Sequence, residues 1–287
     1  MISAKHARKM CQSEYVANRV YLYVSRHLVG GALREALLKA STDELKHYNF
    51  WKKLGGECRN ISTLLKIFSL TLFSVLFGVT ALVKLLERVE GDTSRIYEEL
   101  ARSSPELSEE LLAMSRDESE HELKFADSID ETRVKYLSSI TLGVADAIIE
   151  LTGIYAGAIG ILESARTVGV VGLIAGISAS VSMAVASYAQ AKHELRKKPY
   201  LAAAYTGISY LLVVSVLAAP YFIVEAVLSA FIFMVFNAVL VIAYISVYGW
   251  VILGRSYLRE FLSNVALLLG VSATLYTIGR VVGILTH

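Results

Sequence analysis

Glu44-Leu45-Lys46-His47 and Glu118-Ser119-Glu120-His121 repeat one device: a carboxylate and an imidazole three residues apart. A further Glu precedes each, Glu14 by 30 residues and Glu90 by 28, and a Tyr follows each of those after seven, Tyr21 and Tyr97. Positions three or seven apart share one face of a helix, so each half-set can present all its polar groups inward. Carboxylate oxygens with imidazole nitrogen suit iron and manganese, whereas a structural zinc site usually recruits cysteine. Four carboxylates buried together repel one another in a low dielectric, and a pair of cations resolves the conflict. A single Glu-x-x-His is common on solvated surfaces; two with matched upstream acids are not. On the third helix Glu90 is preferred because its spacing to Tyr97 matches that of Glu14 to Tyr21; Glu87, three residues earlier, is an extra or alternating ligand. Tyr21 and Tyr97 are candidates to donate hydrogen bonds to ligand carboxylates, or are ordinary core aromatics.

The elements that must position these groups are helices. Apolar spacing predicts a first helix over residues 3–29 and a second from Ala32 to Leu54, each closed by a Gly pair. A third runs through Glu87, Glu90 and Tyr97 to about Arg102. A fourth starts at Ser104-Pro105-Glu106, with Ser104 as cap, and runs to about Lys135. Four helices, two giving a Glu and two giving Glu-x-x-His, are the plan of a di-iron carboxylate bundle. Residues 67–83 are free of charge over 17 positions, at the short limit for a membrane span. They read as a span, a buried crossover or a helix on a membrane surface. A span would put the half-sets on opposite sides of a bilayer, so the non-spanning readings are favoured. Cys11 and Cys58 match no metal or CxxC pattern and are expected as free thiols on a cytosolic face. No basic tract with interleaved aromatics suggests nucleic acid.

The charge is unevenly spread. Of 54 Lys, Arg, Asp and Glu residues, 40 fall in residues 1–135. The expected organisation is therefore all-α, with a soluble domain over 1–135 and a membrane domain over 136–287. Five stretches are long enough to cross: Tyr136–Leu162, Thr167–Ala191, Pro199–Val224, Ala226–Gly254 and Phe261–Gly279. The connections after the second and fourth carry the Lys and Arg excess, which places residues 1–135 in the cytosol and the C-terminus outside. Asp146 and Glu150, four apart on one face of the first span, are costly there and point to a cation path or proton relay. Met183, in a second span filled with small residues, offers a soft thioether or simply packs.

Residues 1–135, with Glu14, Glu44, His47, Glu90, Glu118 and His121 in the ligand positions, resemble the ferritin-like, rubrerythrin-type (erythrin) domain. The resemblance implies a four-helix bundle holding two irons that react with dioxygen or peroxide. Gly143-Val144-Ala145-Asp146 and Ser182-Met183-Ala184-Val185-Ala186-Ser187-Tyr188 resemble first- and second-span motifs of vacuolar iron transporters, and Pro220 and Gly279-Arg280 fit as well. That resemblance implies a homodimer with Asp146 and Met183 on the ion path, exchanging a divalent metal for protons. The chain departs from the motifs at Ala147, Ala186 and Ser187, and lacks the acidic helices that family places between spans two and three. Glu150 stands where it can restore the missing carboxylate. The expected function is export of Fe(II) from the cytosol; the alternative is a membrane-anchored oxidase, peroxidase, storage or sensing protein.

Overall fold

Ser3 opens the first helix, its hydroxyl accepting the backbone N–H of His6 at 3.2 Å. In the computed structural model, which describes residues 2–90, 93–128, 136–194 and 198–286, every regular element is helical. The chain divides into two compact units, residues 1–129 and 130–287.

In the first unit, α1 (Ala4–His27) and α2 (Gly31–Gly55) pair antiparallel along their length. Buried Asn18 and Ser41 fix the register: Asn18 donates to the Ser41 carbonyl at 2.7 Å, and the Ser41 hydroxyl donates to the Asn18 carbonyl at 3.1 Å. Glu14 and Glu44 lie one turn from this clamp. Asn60 then caps α3 (Ile61–Phe77) by accepting the Thr63 N–H at 2.9 Å. Gly78, with φ at 85°, breaks the helix in a conformation that a side chain resists, and α4 (Val79–Glu90) follows. Next come α5 (Thr93–Ser103), a short 3-10 turn at Pro105–Leu107 and α6 (Ser108–Ser128). α5 packs on α6, α6 on α2, and α3 on α1.

Three expectations need correction here. Cys11 and Cys58 are not free: they form a buried disulfide whose Cα atoms are 6.0 Å apart. Helix pairing brings residue 11 of α1 beside the strand of chain leaving α2, and this proximity sets the bond. Ser104 makes no side-chain cap, because the 3-10 turn intervenes before α6 begins at Ser108. The expected third helix, through Glu87, Glu90 and Tyr97 to about Arg102, falls in two described elements, α4 ending at Glu90 and α5 starting at Thr93.

In the second unit, α7 (Leu137–Ile159) is followed by α8 (Ala165–His193), α9 (Pro199–Ala218), a single turn α10 (Pro220–Ile223), α11 (Val227–Leu253) and α12 (Tyr257–Thr286). Five stretches are long and apolar enough to cross a membrane: Leu137–Ile159, Ala165–His193, Pro199–Ile223, Val227–Leu253 and Tyr257–Leu285. Ile148, Leu151, Tyr155, Tyr210, Leu217 and Met234 fill the core, while Ile174, Leu212, Phe236 and Ile284 face outward. Helices apolar on both faces are what a bilayer requires. α7 packs against α8, α9, α11 and α12. Small residues allow this: a methyl at Gly172 would collide with the Tyr155 ring, and one at Gly143 with the Thr206 carbonyl.

Candidate metal centre

The α1–α2 pair and α6 bring Glu14, Glu44, His47 and Glu118 together, with one ligand atom from each lying within 4.8 Å of all the others. His47 directs Nδ1 into this group, 3.6 Å from Glu14, 3.8 Å from Glu44 and 3.5 Å from Glu118. His121 does the same from α6, with Nδ1 at 3.6 Å from Glu44 and 3.9 Å from Glu118. Both Nδ1 atoms are buried without a hydrogen-bond partner. Buried polar atoms are rarely left so. Donor pairs at these separations can be bridged by one cation with bonds of about 2.1 Å. The four-residue cluster could therefore hold a metal ion, and the oxygen-rich donor set fits a hard or borderline divalent cation.

The opposite nitrogens of the imidazoles are taken up in a crossed pattern. His47 Nε2 lies 3.2 Å from Asp117 Oδ2, and His121 Nε2 lies 3.2 Å from Asp43 Oδ2. Each Asp belongs to the other half-set and immediately precedes its Glu. An acceptor at Nε2 holds the proton there and leaves the Nδ1 lone pair facing the carboxylates. These two aspartates were missed in the sequence, although the repeat is in fact five residues long: Asp43-Glu44-x-x-His47 and Asp117-Glu118-x-x-His121.

Tyr97 is fully buried and donates to Glu14, while Trp51 Nε1 donates to the Tyr97 hydroxyl at 3.2 Å and the two rings stack. Tyr97 thus serves a carboxylate of the opposite half-set, on α1. Tyr21 is buried, its ring 5.5 Å from that of Phe125. Glu87 and Glu90, the expected third-helix ligands, lie on α4 outside the residues whose side chains are described.

Burial and crowding decide the charges. Burial lifts the Glu44 carboxyl well above its ordinary range, and the charges of Glu14 and Glu118 lift it further. Burial also raises Glu118, against the pull of His47. Glu14 is likewise desolvated, yet the proximity of Glu44 and His47 and the hydrogen bond from Tyr97 outweigh burial and lower it. Burial opposes a charge on His47, but the carboxylates of Glu118, Glu14 and Glu44 overcome it and raise its pKa. The protons held here occupy the place of positive charge that a cation would supply. A cavity of about 520 Å³ reaches Glu14, Glu44 and Glu118 past Lys9, Lys66 and Ser69.

In the second unit, Glu150 accepts the Tyr210 hydroxyl at 2.6 Å, tying α7 to α9. Asp146, one turn earlier, is half-buried, and Met183 packs half-buried against the core of the unit. Buried Ser187 accepts from buried Thr206 at 2.9 Å.

Comparison with known proteins gives no match: no family model, no curated protein and no solved structure is similar to this chain.

Proposed function

We propose that this chain exports a divalent metal, Fe(II) foremost and Mn(II) as the nearest alternative cargo, from the cytosol in exchange for protons. In this reading residues 1–135 are a ferritin-like four-helix domain on the cytosolic side, holding two metals. Glu14, Glu44, His47, Glu118 and His121 supply the ligands, Glu90 and Glu87 complete the set, and Tyr97 and Tyr21 support it. The membrane unit works as a homodimer, with Asp146, Glu150 and Met183 on the ion path and the C-terminus outside. The observation that carries the proposal is a buried Glu14–Glu44–His47–Glu118 cluster in a chain with five membrane-crossing stretches, the first of which bears two acids. An anchor needs no intramembrane acids.

The chemistry assigned to each group follows from its surroundings. The carboxylates of Glu44 and Glu118 release protons as the cation arrives, so capture is coupled to deprotonation. Asp117 and Asp43 hold the imidazoles in the ligating tautomer. Glu150, orientated by Tyr210, and Asp146 give a mobile cation or proton successive oxygen partners one helical turn apart. Metal uptake into proteoliposomes is the test: flux is expected from the wild type and is lost in Asp146→Ala. Flux unchanged in that variant refutes the path.

The cavity beside the carboxylates favours a second reading. Its volume of about 520 Å³ exceeds what a bare ion needs and admits a small oxidant. A membrane-anchored oxidase or peroxidase would turn over peroxide, lose turnover in Glu44→Ala and carry no metal across vesicles.

A further inference from the structure

α3 is apolar on both sides: Ile67, Leu70 and Phe73 pack half-buried against the core of the unit, and a second apolar stripe faces outward. Its two fully buried side chains are the hydroxyl-bearing Thr63 and Ser74. Its outward surface carries Ile61, Leu64, Leu65, Phe68, Leu72, Val75 and Leu76, exposed by 44% to 77%. Among the described residues of the first unit these are seven of the fourteen large exposed apolar side chains, gathered on 17 residues, with the other seven scattered. Spacings of three and four along 61, 65, 68, 72 and 75/76 make one continuous stripe. A patch of that kind on a water-soluble surface marks an interaction site.

We propose that α3 lies flat on the lipid surface, its outward stripe sunk into the boundary between headgroups and acyl chains. Four observations select lipid over a second protein. First, the chain brings its own bilayer, since the second unit has five stretches able to cross one. Second, the stripe consists of Ile, Leu, Val and one Phe, whereas protein interfaces concentrate their binding in Trp, Tyr and Arg. Third, α3 has 17 residues, about 25 Å at the rise of an α-helix, shorter than a hydrocarbon core of about 30 Å and long enough to lie in the interface. Fourth, exposed Lys66 flanks the stripe, while Arg59, just ahead of the helix, pairs with Glu57 at 3.1 Å. The Lys66 cation can reach anionic headgroups while its stem covers apolar surface. Lys66, Ser69 and Leu70 of the same helix also form one wall of the cavity that reaches Glu14, Glu44 and Glu118. Lipid contact therefore bears on the entrance to the carboxylates, whatever the metal site does.

The test uses the full-length protein in vesicles of mixed phosphatidylcholine and phosphatidylglycerol. Single spin labels are placed through Ile61→Cys, Leu65→Cys, Phe68→Cys and Leu72→Cys, with Glu109→Cys on exposed α6 as the aqueous control. Labelling is done on oxidised protein, in which the buried Cys11–Cys58 pair is closed and does not compete for the label. Collision with oxygen, which partitions into lipid, is compared with collision with a water-soluble nickel chelate. The expected result is oxygen accessibility several-fold above that of the chelate at all four stripe positions and the reverse at Glu109→Cys. Stripe labels as open to the chelate as the control overturn the proposal. So do stripe labels shielded from both reagents, which would mean that a second copy of the chain covers α3.

Discussion

The crossed aspartates give the sharpest prediction about the metal centre. Asp117→Asn and Asp43→Asn each replace an ionised acceptor at a histidine Nε2 with a neutral amide of the same shape. The amide can still offer its oxygen, but it no longer strengthens the imidazole as a donor, and turned over it pushes the proton onto the ligating nitrogen. Losing such an outer partner costs 10- to 100-fold in metal affinity, about 1.4–2.7 kcal/mol. The surroundings rank the two. Asp43 is buried, and although burial alone would raise its carboxyl, Lys46 and His121 hold it below the usual range. The Asp117 side chain is 35% exposed, so water can take over part of its role. Asp43→Asn is expected near 100-fold and Asp117→Asn near 10-fold. The two act on different histidines, so the double variant should approach the product. Calorimetric titration of the full-length protein with Mn(II) reads the affinities, with exposed Asp127→Asn as the neutral control. If both variants fold like the wild type and bind Mn(II) within about twofold of it, imidazole orientation does not govern the site and the crossed pattern is incidental.

Three further predictions follow from the same contacts. Tyr97→Phe removes the acceptor for Trp51 and one donor to Glu14, which keeps His47 and Glu44 beside it, and should cost about 1–3 kcal/mol of stability in the first unit, read by calorimetry; no change there would detach Tyr97 from the site. Because Glu44 and Glu118 have raised values, their contribution to apo stability is greatest while they are protonated and is lost as pH rises through those values. A cation needs them ionised, so the thermal shift produced by Mn(II) should be larger at about pH 7.5 than at about pH 5.5, and a shift equal at both would refute carboxylate ligation. The Cys11–Cys58 bond closes a loop over a separation of 47 residues, which by chain entropy is worth about 4 kcal/mol, so Cys11→Ala with Cys58→Ala should lower the denaturation midpoint of the first unit accordingly.

Much of the fold was legible because its signals are local. Charge-free runs of helical length give the membrane stretches, and the doubled Glu-x-x-His gives the cluster, since residues three apart on a helix must share a face. What failed was tertiary. The spacing of Tyr97 to Glu90 suggested a partnership within one half-set, yet the Tyr97 hydroxyl reaches across to Glu14 on α1. Asp43 and Asp117 drew no attention in the sequence, and it is the pairing of α2 with α6 that sets each against the histidine of the other. Periodicity could not orientate α3, for a helix apolar nearly all round carries no mark of which side faces in.

The disulfide exposes a different kind of gap. The expectation of free thiols came from the lack of a metal or CxxC pattern and from an expected cytosolic face, where thiols stay reduced, not from geometry. Geometry brings the two cysteines to bonding distance. These two arguments answer different questions, one about which atoms can meet and the other about the redox potential around them. They are reconciled if the pair is reduced at rest and closes under oxidant, a condition that also governs iron. Cys11 sits one turn of α1 before Glu14 and shares a buried cluster with Trp51 and Tyr97, the residues that support that carboxylate. The bond ties α1 to the segment after α2 close to where Glu14 is held. Under the proposed topology, alkylation of intact cells should therefore find the pair as thiols; a bond already closed in unstressed cells would move the first unit to the oxidising side of the membrane and reverse the direction assigned to transport.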